Sequence, residues 1–169
     1  MNTRFAVILC ALLPIAAFSG NLVEVVNAGF EKVDKDGYPS SWSRHPNWHG
    51  ERAGHNGSGG LVFECAGAEE RRRGNPRQEV RLEPGRRYRV SALVRTDRIA
   101  TERKTSGQGI SICIDCFGAD GKWMFSSMAR PMLSGTTDGW RKMEAVTKVI
   151  PGNSSGFCPF AIMRFASSL

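Results

Sequence analysis

The stretch that decides the fold is Tyr88-Arg-Val-Ser-Ala-Leu-Val-Arg95. Successive side chains of an extended strand point to opposite faces, so the stretch has two different sides. One side carries Val90, Ala92 and Val94. The other carries Arg89, Ser91, Leu93 and Arg95. An apolar face behind a mixed face is typical of a half-buried strand in an antiparallel sheet.

Similar short runs recur along the chain, at residues 61–65, 78–82, 110–117, 143–150 and 157–165. Turn-forming Gly, Pro, Asn and Asp residues separate these runs, for example at 56–60, 84–85, 120–121, 138–139 and 151–153. Helical periodicity is not evident beyond residue 20. Many short strands joined by such turns predict an all-β fold, an antiparallel β-sandwich or barrel.

The first nineteen residues have the pattern of a secretory signal peptide. A short positive head ending at Arg4 precedes an apolar run at 5–18 and the small residues Ser19 and Gly20. The run is shorter than the roughly 20 residues that a membrane-spanning helix needs. We expect cleavage after Ser19, with loss of Cys10. The protein is then secreted, periplasmic or at the cell surface, without a membrane span.

The remaining residues, 20–169, suit a single domain with its own core. The net charge is +7, which makes nucleic acid a conceivable partner. However, the densest basic run, at residues 71–73, has no interleaved aromatic residues that could stack on bases. We therefore expect no nucleic-acid partner and interpret residues 66–77 as an exposed excursion. Residues 99–109 are polar and predict a loop. The net positive charge leaves acidic surface polymers as candidate partners.

Four cysteines lie beyond the signal, at Cys65, Cys113, Cys116 and Cys158, and sequence leaves their three full pairings open. The spacing of Cys113 and Cys116 is that of a redox or zinc half-site. In a strand, however, residues three apart point to opposite faces, which argues against both chemistries. We expect structural thiols or disulfides.

An ordered series of motifs runs through almost the whole chain beyond the signal: residues 27–31 (NAGFE), 39–42 (PSSW), 59–63 (GGLVF), 84–92 (PGRRYRVSA), 120–123 (DGKW) and 136–140 (TTDGW). The series resembles the galactose-binding-like β-jelly-roll carbohydrate-binding modules of families 4, 9 and 22. The resemblance implies a jelly-roll sandwich in which Trp42 and Trp140 are structural.

The resemblance also implies a structural calcium ion, with Glu31 as a ligand. It further implies a closing strand that carries paired acidic residues and follows the one at 157–165. That closing strand is not recognisable here, so an exposed sheet edge is expected. Related longer proteins would join such a module to a glycoside hydrolase domain.

No catalytic motif is present, and His45, His49 and His55 crowd one loop region without metal-ligand spacing. We therefore expect that the protein is not an enzyme. A sugar-binding module needs an aromatic platform for the apolar face of a pyranose, flanked by polar side chains. The candidate carbohydrate-binding residues are Trp48, Trp123, Tyr38, Arg89, Arg95 and Asp115. The alternative is a structural or adhesive β-sandwich of the cell envelope that contacts protein rather than glycan.

Overall fold

The computed structural model describes residues 5–10, 23–52, 54–65, 75–99, 109–118, 120–151 and 160–168, with the backbone alone for 5–10, 65 and 160–168. Several sequence predictions fall wholly or largely outside these residues. They are the cleavage site after Ser19, most of the excursion at 66–77, most of the loop at 99–109, and the sulfurs of Cys65 and Cys158.

Nine strands make up almost all of the regular structure in the described part of the chain. They are β1 (Phe5–Cys10), β2 (Trp48–Glu51), β3 (Gly60–Cys65), β4 (Arg77–Arg81), β5 (Arg89–Asp97), β6 (Gly109–Phe117), β7 (Trp123–Met128), β8 (Arg141–Val146) and β9 (Phe160–Ser168). A 3-10 turn, His55–Gly57, lies between β2 and β3. The described residues contain no α-helix.

The strands form two antiparallel sheets. The five-stranded sheet has the order β2-β3-β1-β5-β8, and the four-stranded sheet has the order β4-β9-β6-β7. Both sheets contribute to one hydrophobic core: the first supplies Phe63 and Val94, and the second supplies Ile112 and Ile114. The prediction of an all-β, antiparallel fold is confirmed.

The alternation that predicted β5 is confirmed for the apolar face and for the two arginines, while Ser91 on the mixed face is buried as well. Val90, Ala92 and Val94 are buried in the core, whereas Arg89 and Arg95 are exposed on the opposite face. Removing apolar side chains from water on one face while charged side chains stay hydrated on the other stabilises the strand in one register.

Strand β1 lies inside the segment that sequence predicts to be a signal peptide. Its backbone pairs with β3 on one side and with β5 on the other. Strand β9 is likewise internal, between β4 and β6. The sheet edges are therefore β2 and β8 in one sheet and β4 and β7 in the other. Cleavage after Ser19 stays a prediction, and it would remove an inner strand of the five-stranded sheet.

Tyr38 is buried, with 5% of its surface exposed, and its hydroxyl donates a hydrogen bond to the Ser43 carbonyl (2.9 Å). Burial raises the pKa of Tyr38 to about 12, against the lowering effect of the nearby Arg44. The folded protein therefore holds the phenolic proton more tightly than the unfolded chain, whose tyrosine pKa is about 10.

The stabilisation from this proton is complete below pH 10 and is lost as the pH rises to about 12. At 1.36 kcal/mol per pH unit, the loss is on the order of 3 kcal/mol. Urea unfolding at pH 9.5 and pH 12 should show this loss in the parent chain and not in Tyr38→Phe. Equal pH dependence in the two proteins would contradict the burial of the phenol.

Candidate functional site

The outer face of the four-stranded sheet is formed partly by β4, whose residues alternate in burial. Gln78 and Val80 point inward and are buried. Gln78 also binds the backbone of Val26 through both its amide oxygen (2.7 Å) and its amide nitrogen (2.9 Å), which fixes β4 against the N-terminal segment. Arg77, Glu79 and Arg81 are exposed on the opposite side. Strand β4 therefore presents one acidic and two basic side chains to solvent.

Strand β6 directs a second set of polar residues to the same side of the sheet, where all of them are buried. Ile112, Ile114 and Cys116 belong to the core, so Ser111, Cys113 and Asp115 point the other way. Directly opposed residues in antiparallel strands share a face. Glu79 and Asp115 both pair with position 162 of β9, which puts both on the outer face, two strands or about 10 Å apart.

Strand β7 adds the aromatic residue of this face. Trp123 pairs with Phe117 beyond a β-bulge, and 62% of its surface is exposed. The Trp123 Nε1 donates a hydrogen bond to Ser126 Oγ (3.2 Å), and Ser126 Oγ donates one to Asp115 Oδ1 (2.5 Å). The indole is therefore connected through a serine to a carboxylate that is only 8% exposed. We call Arg77, Glu79, Arg81, Asp115, Trp123 and Ser126 the β4–β7 face.

The two cysteines of β6 differ in orientation, as the sequence predicted. Cys113 Sγ donates a hydrogen bond to Asp115 Oδ1 (3.3 Å) on the outer side, whereas Cys116 lies in the core. Burial, followed by the nearby Asp115 charge, raises the pKa of the Cys116 thiol to about 11. A thiol with this pKa is protonated at neutral pH and is a poor nucleophile and metal ligand. The structure thus supports the expectation that these two residues are not a redox or zinc half-site.

Two of the predicted sugar platforms lie in the core and not at the surface. Trp48 is 5% exposed, and its ring packs against Phe63 with 5.1 Å between centroids. Tyr38 is equally buried. The Arg44 guanidinium covers the Tyr38 ring, 5.1 Å from its centroid. The structure corrects both placements, because a covered and buried ring has no face left for a pyranose.

Two predicted residues lie on the other sheet. Arg89 forms an ion pair with Glu144 (3.3 Å), which also pairs with Lys142 (3.3 Å). The Arg95 guanidinium lies over the ring of Trp140, 5.4 Å from its centroid. Both arginines belong to β5 of the five-stranded sheet, so they do not join the β4–β7 face. Of the predicted site, the structure brings together Trp123 and Asp115.

Glu31, the predicted calcium ligand, accepts a hydrogen bond from the Gly59 backbone N–H (2.9 Å). Calcium takes six to eight oxygen ligands. In the part of the chain with described side chains, no group of three or more His, Cys, Asp or Glu residues could hold a metal ion. The calcium ion therefore stays a prediction that rests on the resemblance alone.

Sequence reasoning missed four members of the β4–β7 face: Arg77, Glu79, Arg81 and Ser126. The alternation of polar and apolar residues in 78–82 already separates Glu79 and Arg81 from the core side of β4. Which sheet that polar side belongs to, and that Trp123 lies on it, depends on strand order, which alternation does not encode. Ser126 had no distinguishing signal.

A concave region lies at the edge of β8, away from the β4–β7 face. It is an open cleft of about 600 Å³ lined by residues that include Arg130, Pro131, Thr136, Asp138, Arg141 and Glu144. None of the described residues that line this cleft is aromatic.

A scan against protein-family models, a search of curated proteins and a search of solved structures each find no match for this chain. Among the described residues, no helix is long and apolar enough to cross a membrane.

Proposed function

We propose that this chain is an exported, non-catalytic carbohydrate-binding protein and that its ligand lies on the β4–β7 face. The observation that carries the proposal is the exposed indole of Trp123, connected by Ser126 to the largely buried carboxylate of Asp115. Two antiparallel sheets around one core are compatible with the jelly roll that the sequence resembles, and we propose that topology as well.

An exposed indole suits a pyranose because the C–H groups on one side of the sugar ring can stack on an aromatic surface. The Trp123 Nε1 donates to Ser126, so its polar atom is satisfied within the protein and the exposed part of the ring is left for an apolar contact. The hydrogen bond also restricts rotation of the side chain, which lowers the entropy lost when a sugar orders it.

Polar groups beside the ring are needed to bind the sugar hydroxyls. Asp115 is the acceptor nearest the ring. Strand β4, with the carboxylate of Glu79 and the guanidinium donors of Arg77 and Arg81, lies three strands or about 14 Å from β7, so only a ligand of several sugar units reaches both. Together they offer donors and acceptors on one side of the sheet. This mixture fits the hydroxyls of a poly- or oligosaccharide better than it fits an apolar protein surface, which favours glycan over an adhesive protein contact.

Affinity electrophoresis through gels that contain single polysaccharides tests the proposal. We expect at least one polysaccharide to retard the full chain. Trp123→Ala should weaken the binding by about 1–3 kcal/mol, or roughly 5- to 150-fold in Kd, because a central aromatic anchor is removed.

Trp140→Ala is the matched control, because it removes an indole that contacts Arg95 and His55 instead of the β4–β7 face. It should leave the affinity unchanged. If the folded parent chain binds no polysaccharide, or if Trp123→Ala binds as well as the parent, the proposal is wrong.

A further inference from the structure

The five-stranded sheet contains a slot that is one strand wide. Strands β3 and β5 are both antiparallel to β1, so they run parallel to each other on its two sides. With neighbouring strands about 4.8 Å apart, β3 and β5 are separated by about 10 Å. At that distance β3 and β5 do not hydrogen-bond to each other. The sheet is therefore continuous only if a strand lies between them and pairs with both.

The walls of the slot present backbone groups to any strand that enters. Residues 61–65 of β3 and residues 93–97 of β5 are the register partners of β1. Unpaired backbone groups at a sheet edge are a template for another extended chain. Without β1, both β3 and β5 have unpaired backbone groups that face the slot. An extended peptide can hydrogen-bond to both strands at once, whereas a small ligand cannot.

The side chains around the slot define which sequence fits. One inward position lies opposite Leu61 and Val94, both fully buried, and therefore needs an aliphatic residue. The register position of Val7 lies opposite Phe63 and Thr96, which are both buried. Thr96 is 1% exposed, and among the described residues its hydroxyl is the one buried side-chain group without a hydrogen-bond partner.

A buried hydroxyl without a partner costs stability. A serine or threonine of the inserted strand, directly opposite Thr96, could supply the partner, and such cross-strand hydroxyl pairs stabilise sheets. Val7 has no hydrogen-bonding side-chain group. The slot is therefore better matched to a strand that is not β1.

We propose that the space between β3 and β5 is a strand-acceptor site. When residues 1–19 are removed on export, it takes an extended segment of a partner polypeptide. That segment carries Ser or Thr opposite Thr96 and an aliphatic residue opposite Val94. Peptides that add a strand to a sheet are bound mainly through main-chain hydrogen bonds, and alternate side chains give specificity. The proposal rests on the predicted cleavage and not on the carbohydrate-binding face, which belongs to the other sheet.

The test starts from the full chain, with a protease site placed so that cutting after folding leaves a chain that starts at Gly20. The cut protein is unfolded in urea, separated from the released N-terminal fragment, and refolded with fluorescent peptides. The peptides have the sequence of residues 4–11 with the substitution C10S and a lysine tail. The peptides are the parent, V7T and L9D. Fluorescence anisotropy measures their Kd, and the melting temperature of the chain that starts at Gly20 is measured with each peptide.

We expect the parent peptide to bind and to raise the melting temperature. V7T should bind about fivefold more tightly, because it gains one hydrogen bond to Thr96. L9D should bind at least 100-fold more weakly, because it buries a carboxylate beside Leu61 and Val94. A T96V protein should bind V7T no better than the parent peptide.

Four results would overturn the proposal: no binding by any peptide, equal binding of the parent and L9D peptides, a V7T peptide that binds no more tightly than the parent, or a Gly20 chain whose melting temperature equals that of the full chain. The third result would mean that the site favours β1 over a strand with a hydroxyl opposite Thr96, and the fourth that β3 and β5 join directly. Retardation by polysaccharide, measured on the same proteins, reports separately on the β4–β7 face.

Discussion

Trp48→Ala is expected to lower the free energy of unfolding by about 3–5 kcal/mol, the range found when a large aromatic residue is removed from a packed core. Trp48 begins β2, pairs in register with Phe63 and packs against its ring. Its removal leaves a cavity beside side chains that neighbouring strands hold in place. Urea denaturation followed by circular dichroism measures the loss.

Trp123→Ala is the matched control, because its indole is mostly in water. We expect its unfolding free energy to stay within about 0.5 kcal/mol of the parent value. The two variants should therefore differ in effect. Trp48→Ala should lose stability, and Trp123→Ala should lose polysaccharide affinity. Equal stability of Trp48→Ala and the parent would show that Trp48 is not a core residue.

Gly109→Ala is expected to cost about 2–5 kcal/mol of stability, from two additive causes. Gly109 begins β6 at φ 132°, a conformation that L-residues rarely adopt. A methyl group there would also overlap the carbonyl oxygen of Leu133. That carbonyl is fixed, because it accepts a hydrogen bond from the Ile110 N–H (2.8 Å), and the Leu133 N–H donates one back to Ile110 (2.9 Å).

Gly121→Ala separates the two causes. Gly121 also has a positive φ, 75°, but nothing lies within 4 Å of an added methyl group. It should show the backbone strain alone, about 1–2 kcal/mol. Thermal and urea unfolding of both variants measure the difference. A cost for Gly109→Ala that is no larger than that for Gly121→Ala would mean that the contact between β6 and Leu133 is not tight.

The strands could be predicted because alternation is a local property. The pattern of β5, with Val90 and Val94 inward and Arg89 and Arg95 outward, needs no knowledge of the partner strands. The same reasoning placed Cys113 and Cys116 on opposite sides of β6. Local pattern therefore gave the fold class and the orientation of individual residues within a strand.

The site was harder to predict because exposure of an aromatic residue depends on distant contacts. Trp48 has polar neighbours in sequence, which favoured a surface position. In the structure, Asn47 adopts φ 68°, and the Trp48 N–H donates to the His45 carbonyl (3.3 Å), so the chain turns and lays Trp48 against β3. The burial of Trp48 therefore depends on this turn and on its contact with Phe63.

Residues 5–10 show a second reason why the structure could not be fully predicted from the sequence. A short apolar run is compatible with the core of an export signal and with a buried inner strand, and periodicity alone does not separate them. Only pairing with β3 and β5 reveals the strand. The same residues therefore support both the prediction of export and the proposal of a strand-acceptor site.

The central claim is that the β4–β7 face binds carbohydrate. Its most direct test is a titration of ¹⁵N-labelled protein with an oligosaccharide of the polysaccharide that retards the chain most, followed by NMR. We predict that the largest shifts fall on the Trp123 indole N–H and on amides of β4, β6 and β7. Shifts confined to the cleft at β8 or to residues 44–50, with Trp123 unmoved, would contradict the account.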